Sequence, residues 1–266
     1  MTGDGDFLSL LPRSAFAAAG GERSAAGLDS SGRDSTGRAA AGLEATTVFA
    51  FHYADGVIVA GDHRATAGNV VFSDRIEKIL ELDRHSLMAI AGSPSIAIEM
   101  ARTLQTAFDY YRRSQLQPMS LAAKMRALSR LLHENLPATL QGFGTVAPIF
   151  AGLDPDTRLP SIFFYDPLGA QFEGVAHAGS GSGSGSIKSV LHFLEQWGRP
   201  KPKEMTLAQA VVLANRLLMT AAEFDTATGG VDPLRNDFAT IKLLGPAGVR
   251  TLSVAEQAEF WREAPL

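Results

Sequence analysis

Thr46-Thr47-Val48-Phe49-Ala50-Phe51-His52-Tyr53-Ala54-Asp55-Gly56-Val57-Ile58-Val59-Ala60-Gly61-Asp62 decides how this chain is read. Two apolar, β-branched and aromatic runs flank Asp55-Gly56, a pair suited to a tight turn, so the stretch predicts a β-hairpin. Before it, residues 1–45 carry 24 Gly, Ala or Ser and few large apolar side chains after Leu11. Such a segment cannot bury enough surface to offset the entropy of ordering, which predicts a mobile leader ending at Ala45. Patterned structure therefore begins at Thr46.

Working outward, further strands are expected at 78–82 and 86–91, followed by amphipathic helices over 95–113 and 121–136. The first helix aligns Ile96, Met100, Leu104, Phe108 and Tyr111 on one face; the second aligns Leu121, Met125, Leu128, Leu132 and Leu136, with Ser120 as N-cap. Strands at 146–152 and 161–165 come next, the first containing Pro148, which favours an edge position or a bulge. Helices over 187–197 and from the Thr206-Leu207-Ala208-Gln209 capping box to Phe224 precede a last strand pair, 238–244 and 249–252. Strands enclosing paired helices predict an α+β fold, two packed antiparallel sheets with helix pairs outside them: a four-layer αββα sandwich. The expected division is a removable leader over 1–45, one domain over 46–252 and a tail over 253–266.

Composition narrows the function. The 266 residues are 45% hydrophobic and 20% charged, with net charge −4 and no cysteine. The acidic balance and lack of basic runs argue against a nucleic-acid partner. Thiolate catalysis, disulfides and Cys-based metal sites are excluded. The early Phe7-Leu8-Ser9-Leu10-Leu11 is too short for a span and has no basic region before it, so neither a membrane segment nor a signal peptide is expected. A cytoplasmic location fits.

Chemistry concentrates on a spaced set. Asp62 lies sixteen residues after Thr46, and Lys78 sixteen after that. A threonine freed at its N-terminus carries a hydroxyl nucleophile and an amine base on one residue. Standing alone, a Thr-Thr pair is β propensity, a Gly-Asp is a turn and a lysine is a solvated charge; the combination carries the reading. His63 is expected to be structural or on the surface. The Gly179–Ser186 run of four Gly-Ser units reads either as a short hinge or as part of a site; it is not a phosphate loop, because no Gly-Lys-Ser/Thr ending follows.

Thr46-Thr47-Val48, Ala60-Gly61-Asp62, Lys78, Ala91-Gly92, Gly179-Ser180-Gly181-Ser182 and Asp225-Thr226-Ala227-Thr228-Gly229-Gly230 together resemble the bacterial 20S proteasome β subunits over roughly residues 46–244. The resemblance implies an N-terminal nucleophile hydrolase fold and a threonine endopeptidase activated by autolysis between Ala45 and Thr46. It assigns Thr46 as nucleophile and base, Lys78 as the cation that stabilises the alkoxide, and Asp62 as its partner. Gly92 would be the oxyanion donor, with Asp225, Thr228 and Ser180 (Ser182 second) supporting the threonine amine. Ile90 would floor the pocket for the residue before the cut, with Ala65, Ile76 and Pro94 around it, and Thr66 would contact an extended substrate. Implied partners are identical subunits in a heptameric ring, α-type rings, an ATPase ring acting through them and unfolded protein substrates; no metal or organic cofactor is implied. Ala45 departs from the family's usual glycine, and its β-carbon is expected to slow the tight turn that scission needs. Two other readings use the same fold: an inactive structural ring subunit, and a stand-alone amidase of small molecules. A two-ring protease without α subunits is a close variant.

Overall fold

The computed structural model describes residues 43–67 and 70–263. The leader up to Gly42 lies outside the described residues. The hairpin forms as expected: β2 (Thr47–Tyr53) pairs with β3 (Gly56–Gly61) in a register that joins Val48 to Gly61 and Tyr53 to Gly56. The hairpin sits in the middle of a five-stranded antiparallel sheet. Its other members are β11 (His177–Gly181), β12 (Thr240–Gly245) and β13 (Gly248–Thr251), in the order β11-β2-β3-β12-β13.

A second antiparallel sheet contains β6 (Ile79–Asp83), β7 (Ser86–Ala89), β8 (Ile149–Leu153), β9 (Pro160–Tyr165) and β10 (Gln171–Phe172), in the order β10-β9-β8-β7-β6. Val48, Ala50, Val57 and Val59 point from the first sheet toward Ile79, Leu87, Ala89, Ile149 and Ala151 of the second, forming one core. The alternate residues, Phe49, Phe51, Ile58 and Ala60, pack under helices α4 (Ser184–Trp197) and α5 (Leu207–Phe224). Both faces of the first sheet are thus buried, which is why β2 and β3 read as continuous apolar runs rather than alternating ones. Helices α1 (Pro94–Gln115) and α2 (Leu121–Glu134) cover the second sheet, giving the four layers. Among the described residues, α5 alone is long and apolar enough to cross a membrane, and it is a core helix here, its Ala210, Val211, Ala214, Leu217 and Leu218 packed on the first sheet.

Several boundaries differ from expectation for identifiable reasons. The second helix stops at Glu134, and a separate short helix, α3 (Leu136–Leu140), follows with Pro137 in its first turn, where the missing N–H leaves no intrahelical bond unmade. Pro148 does not mark an edge strand: β8 begins one residue later and lies centrally between β7 and β9. The proline fits because it stands between that strand and the isolated bridge of Val146 to Gly92, where its carbonyl accepts from Tyr165 N–H at 3.2 Å. Trp197, the last residue of α4, is exposed and meets Phe193 at 5.4 Å between ring centroids. The segment after Leu252 is not a tail but a helix, α6 (Val254–Glu263). Its buried Gln257 bonds Asn215 of α5 and the Ala239 carbonyl, closing a polar ring inside the core.

Candidate active site

Hairpin register brings Asp62 to the start of β2, opposite Thr47. With Val48 opposite Gly61, the next position outward sets Thr47 opposite Asp62, and Asp62 N–H donates to the Thr47 carbonyl at 3.2 Å. The Asp62 carboxylate folds back over that strand end. Its Oδ1 accepts from Thr47 N–H at 3.0 Å and from Lys78 Nζ at 2.6 Å; its Oδ2 accepts from Gly229 N–H at 2.8 Å and Arg64 N–H at 3.1 Å. Four donors on two oxygens fill its acceptor capacity. Lys78 precedes β6 and is anchored by its own backbone, whose carbonyl accepts from Ile90 N–H at 2.9 Å.

Asp62 and Lys78 are almost sealed from water, with side-chain exposures of 1% and 2%. Burial, the largest influence, lowers the Lys78 pKa below its ordinary value; Asp62 pulls it upward and Arg64 pushes it down again. The ammonium also donates to the Arg64 carbonyl. An ammonium has three protons, and Lys78 uses two of them on acceptors among the described residues.

A second branch reaches Thr47 from the other side. Thr228 Oγ1 donates to Asp225 Oδ2 at 2.6 Å, which commits its proton. The 2.6 Å contact between Thr228 and Thr47 hydroxyls is therefore donated by Thr47, whose oxygen in turn accepts from Gly183 N–H at 3.1 Å. A directional chain runs Gly183, Thr47, Thr228, Asp225. Ser182 Oγ also donates to Asp225 Oδ2, at 2.6 Å, and Ala227 N–H to its Oδ1 at 3.1 Å. Burial would raise the Asp225 carboxyl, but these donors and the Lys78 charge hold it below the usual carboxylate range.

The Gly-Ser run is built into this site and is not a linker. Its first part is the end of β11, paired on β2 with Ser180 opposite Val48 and Gly181 opposite Thr47; its last part opens α4. Gly181 has φ +96°, and a Cβ there would stand 1.5 Å from the Thr46 carbonyl oxygen. A Cβ on Gly183 would meet Thr228 Oγ1 at 2.3 Å. Both glycines are close-approach residues.

A family model described as "Proteasome subunit" matches residues 43–232. The chain belongs to the proteasome subunit family. It is 37% identical over 215 residues to the proteasome subunit beta of Acidimicrobium ferrooxidans, covering 81% of this chain and 76% of that protein. Proteasome subunit beta 2 of Thermomonospora curvata is 38% identical over 215 residues, 81% and 74% of the two chains. Proteasome subunit beta of Streptomyces griseus is 33% identical over 217 residues, 82% and 75%. The two five-stranded sheets with flanking helices are those of the N-terminal nucleophile hydrolase sandwich of proteasome subunits.

In this proteasome subunit Asp62 and Thr228 bond Thr47 rather than Thr46, with Lys78 and Asp225 one bond further out, on Asp62 and Thr228 respectively. Thr46 itself is buried, and its carbonyl accepts from Ser182 N–H at 3.1 Å. Ser180 and Asp225 are not bonded to each other: the Ser180 hydroxyl donates to the Ala147 carbonyl at 2.7 Å, and Ser182 is the serine of the run that donates to Asp225. Gly92 lies on a different strand connection, at φ +100°, its Cβ position blocked by the Thr145 carbonyl 2.0 Å away. Ile90 and Ala65 are buried, Ile76 and Pro94 half-buried, and Pro94 opens α1. His63 is structural, its Nε2 3.1 Å from the Phe238 carbonyl. Among the described residues no group of three His, Asp or Glu is placed to hold a metal.

Three features of the proteasome subunit go beyond the expectations: a strand at residues 43–45, where a mobile leader was expected to end, the state of the Thr66 hydroxyl, and the bonds of Arg64. Leu43–Ala45 form a strand, β1, paired antiparallel with β4 (Ala65–Ala67), with Ala45 opposite Thr66 and Leu43 opposite Ala67. The other side of β4 pairs with β5 (Val70–Ser73). Thr66 Oγ1 is buried without a hydrogen-bond partner among the described residues. Arg64 is the third: its backbone serves both Asp62 and Lys78, and its side chain reaches Asp74 and the loop after α5. The Arg-Ala-Thr-Ala stretch offers no period from which these contacts could be read.

Proposed function

We propose that this chain is the proteolytic β subunit of a 20S proteasome, a threonine endopeptidase that acts on unfolded protein after scission between Ala45 and Thr46. One observation carries the reading: the sealed Asp62–Lys78 pair is bonded to the amide that follows Thr46, while the residues before Thr46 lie along β4 as an extended strand. Thr46 Oγ would attack the Ala45 carbonyl carbon, and collapse of the intermediate would break the Ala45–Thr46 C–N bond, giving an ester and freeing the Thr46 α-amine. Water would then cleave the ester, releasing the Ala45 carboxylate and restoring the Thr46 hydroxyl. That amine, with an ordinary pKa of about 7.7–8.0, would then accept the hydroxyl proton during attack on a substrate carbonyl and return it to the leaving amine. The remaining Lys78 proton would face the developing alkoxide. Gly92 N–H would stabilise the oxyanion, an effect worth about 3–4 kcal/mol in other hydrolases. Asp225, Thr228 and Ser182, with Ser180 alongside, would fix the amine.

An extended substrate would take the place of β1 on β4, at Thr66, with Ala65, Ile76, Ile90 and Pro94 around the side chain before the cut. An apolar floor at Ile90 favours hydrophobic residues there. Identical subunits in a heptameric ring, α-type rings and an ATPase ring are the partners this role requires, in the cytoplasm. Intact mass and N-terminal sequence after co-expression with an α-type subunit test the reading. A mature chain beginning at Thr46, and loss of both processing and peptide hydrolysis in Thr46→Ala, are expected. A persistent full-length chain in assembled particles would assign the structural role instead, and an assembly-independent amidase activity the stand-alone one.

A further inference from the structure

Arg64 stands where three separately folded pieces meet. Its backbone belongs to the connection from β3 to β4, with N–H 3.1 Å from Asp62 Oδ2 and carbonyl accepting from Lys78. Its guanidinium leaves that connection in two directions. Nε donates to Asp74 Oδ1 at 3.0 Å, directly after β5; Nη1 lies 3.3 Å from the Thr226 carbonyl and 3.4 Å from the Thr228 carbonyl, on the loop that carries Asp225. The arginine side chain is 30% exposed and that of Asp74 59%, so the pair contributes little as a surface ion pair. Its geometry does more: the planar fork of an arginine can hold a carboxylate and two carbonyls at once, which a lysine point charge cannot.

We propose that Arg64 is a positioning residue that locks the Asp225–Thr228 loop to the β4–β5 hairpin. The inference rests on the endopeptidase reading above, since the hairpin is where the extended substrate would lie and the loop is where the threonine amine would be held. Two links already join the loop to the Asp62 branch, Gly229 N–H to Asp62 and the Thr47–Thr228 hydroxyl contact. Both act at Thr228 or beyond. Arg64 adds the hold on Thr226, on the far side of Thr228, and the connection to Asp74. Close packing supports it, because a Cβ on Gly229 would stand 3.0 Å from Arg64 Cβ.

The test compares Arg64→Ala, Arg64→Lys and Asp74→Asn in mature assembled particles. Arg64→Ala is expected to lower kcat by about tenfold to a hundredfold with KM within a factor of two or three, the signature of a displaced reacting group. Arg64→Lys should recover only part of kcat, since it restores charge but not the fork, and Asp74→Asn should lose less than Arg64→Ala. A kcat within twofold of the parent in Arg64→Ala, or full recovery in Arg64→Lys, overturns the proposal. Hydrogen exchange supplies a readout independent of catalysis: in a Thr46→Ala background, Arg64→Ala should speed exchange at 225–230 while β12 keeps its protection. Unchanged exchange at 225–230 also overturns it. Hydrolysis retained by Thr46→Ala alone would sink the endopeptidase reading and leave the exchange result to decide on Arg64.

Discussion

Asp62 Oδ1 stands 2.6 Å from Lys78 Nζ, and the same oxygen also takes the Thr47 amide proton. One carboxylate oxygen thereby fixes a buried cation against the backbone that follows Thr46. Removing either partner strands the other charge in a dry site.

Stability and chemistry can be separated at this pair. Lys78→Met should destabilise the subunit by about 3–5 kcal/mol, because a buried carboxylate is left without its counter-ion. Adding Asp62→Asn should return only part of that loss, because its amide nitrogen cannot accept from the backbone N–H groups now on both oxygens, and should not return hydrolysis. Urea midpoints beside peptide turnover check both halves. If the double variant hydrolyses peptide, the cation is not required.

The pH dependence follows from the same burial. A lowered Lys78 pKa means that its proton leaves at lower pH than in a free lysine, whose value is about 10.4. Activity that needs the charged form should therefore decline on the alkaline side before that value, while the acid side follows protonation of the Thr46 amine. Asp225, held below the carboxylate range, should contribute no break near neutrality. A rate that stays flat up to pH 10 would contradict this assignment of charge.

Gly181, Gly183 and Gly185 look alike in sequence and should behave differently. Gly181→Ala drives a Cβ into the Thr46 carbonyl, and Gly183→Ala pushes against Thr228 and Thr47, so both should abolish turnover. At Gly185 nothing lies within 4 Å, and alanine inside α4 should be neutral or stabilising by up to about 1 kcal/mol. Ser182→Ala should impair turnover through Asp225, and Ser180→Ala reports separately on the Ala147 contact. Equal effects across the three glycines would refute the layout described for the run.

Acid sensitivity should arise partly outside the active site. Asp83 accepts from Lys124 at 2.5 Å and from Ser86 and His85; burial would raise its carboxyl, but these partners together hold it low. A depressed folded-state pKa contributes stability above the unfolded value of about 3.9 and loses it as pH falls through the folded one. Asp83→Asn should therefore be less stable than the parent at neutral pH, by a gap that narrows as pH falls from neutrality to below about 3.9. Denaturation midpoints across that range decide; a constant gap would show that the charge is not responsible.

The central hairpin, four strands of each five-stranded sheet and, among the described residues, four of six helices were legible because apolar period and turn residues act locally. That Asp62 meets the start of the hairpin was legible, because hairpin register sets it opposite Thr47. What stayed hidden depends on approach rather than pattern. The choice between Ser180 and Ser182 turns on which hydroxyl faces Asp225 once β11 pairs with β2, and nothing in a Gly-Ser repeat distinguishes them. Arg64 escaped because its partners lie 10 and 162–164 residues away, two of them backbone carbonyls. Strands β1, β4 and β5 are three or four residues long, below what an alternating pattern can report.

The pairing of Leu43–Ala45 with β4 also has a meaning for handling the subunit before assembly. An uncovered strand edge is a template for pairing with any other extended chain, and proteins that leave one open risk sticking to themselves. Here the chain carries its own cover, attached through a single peptide bond to the residue at the start of the fold. Loss of β1 before any partner is present should bare the β4 edge and make the subunit prone to aggregate.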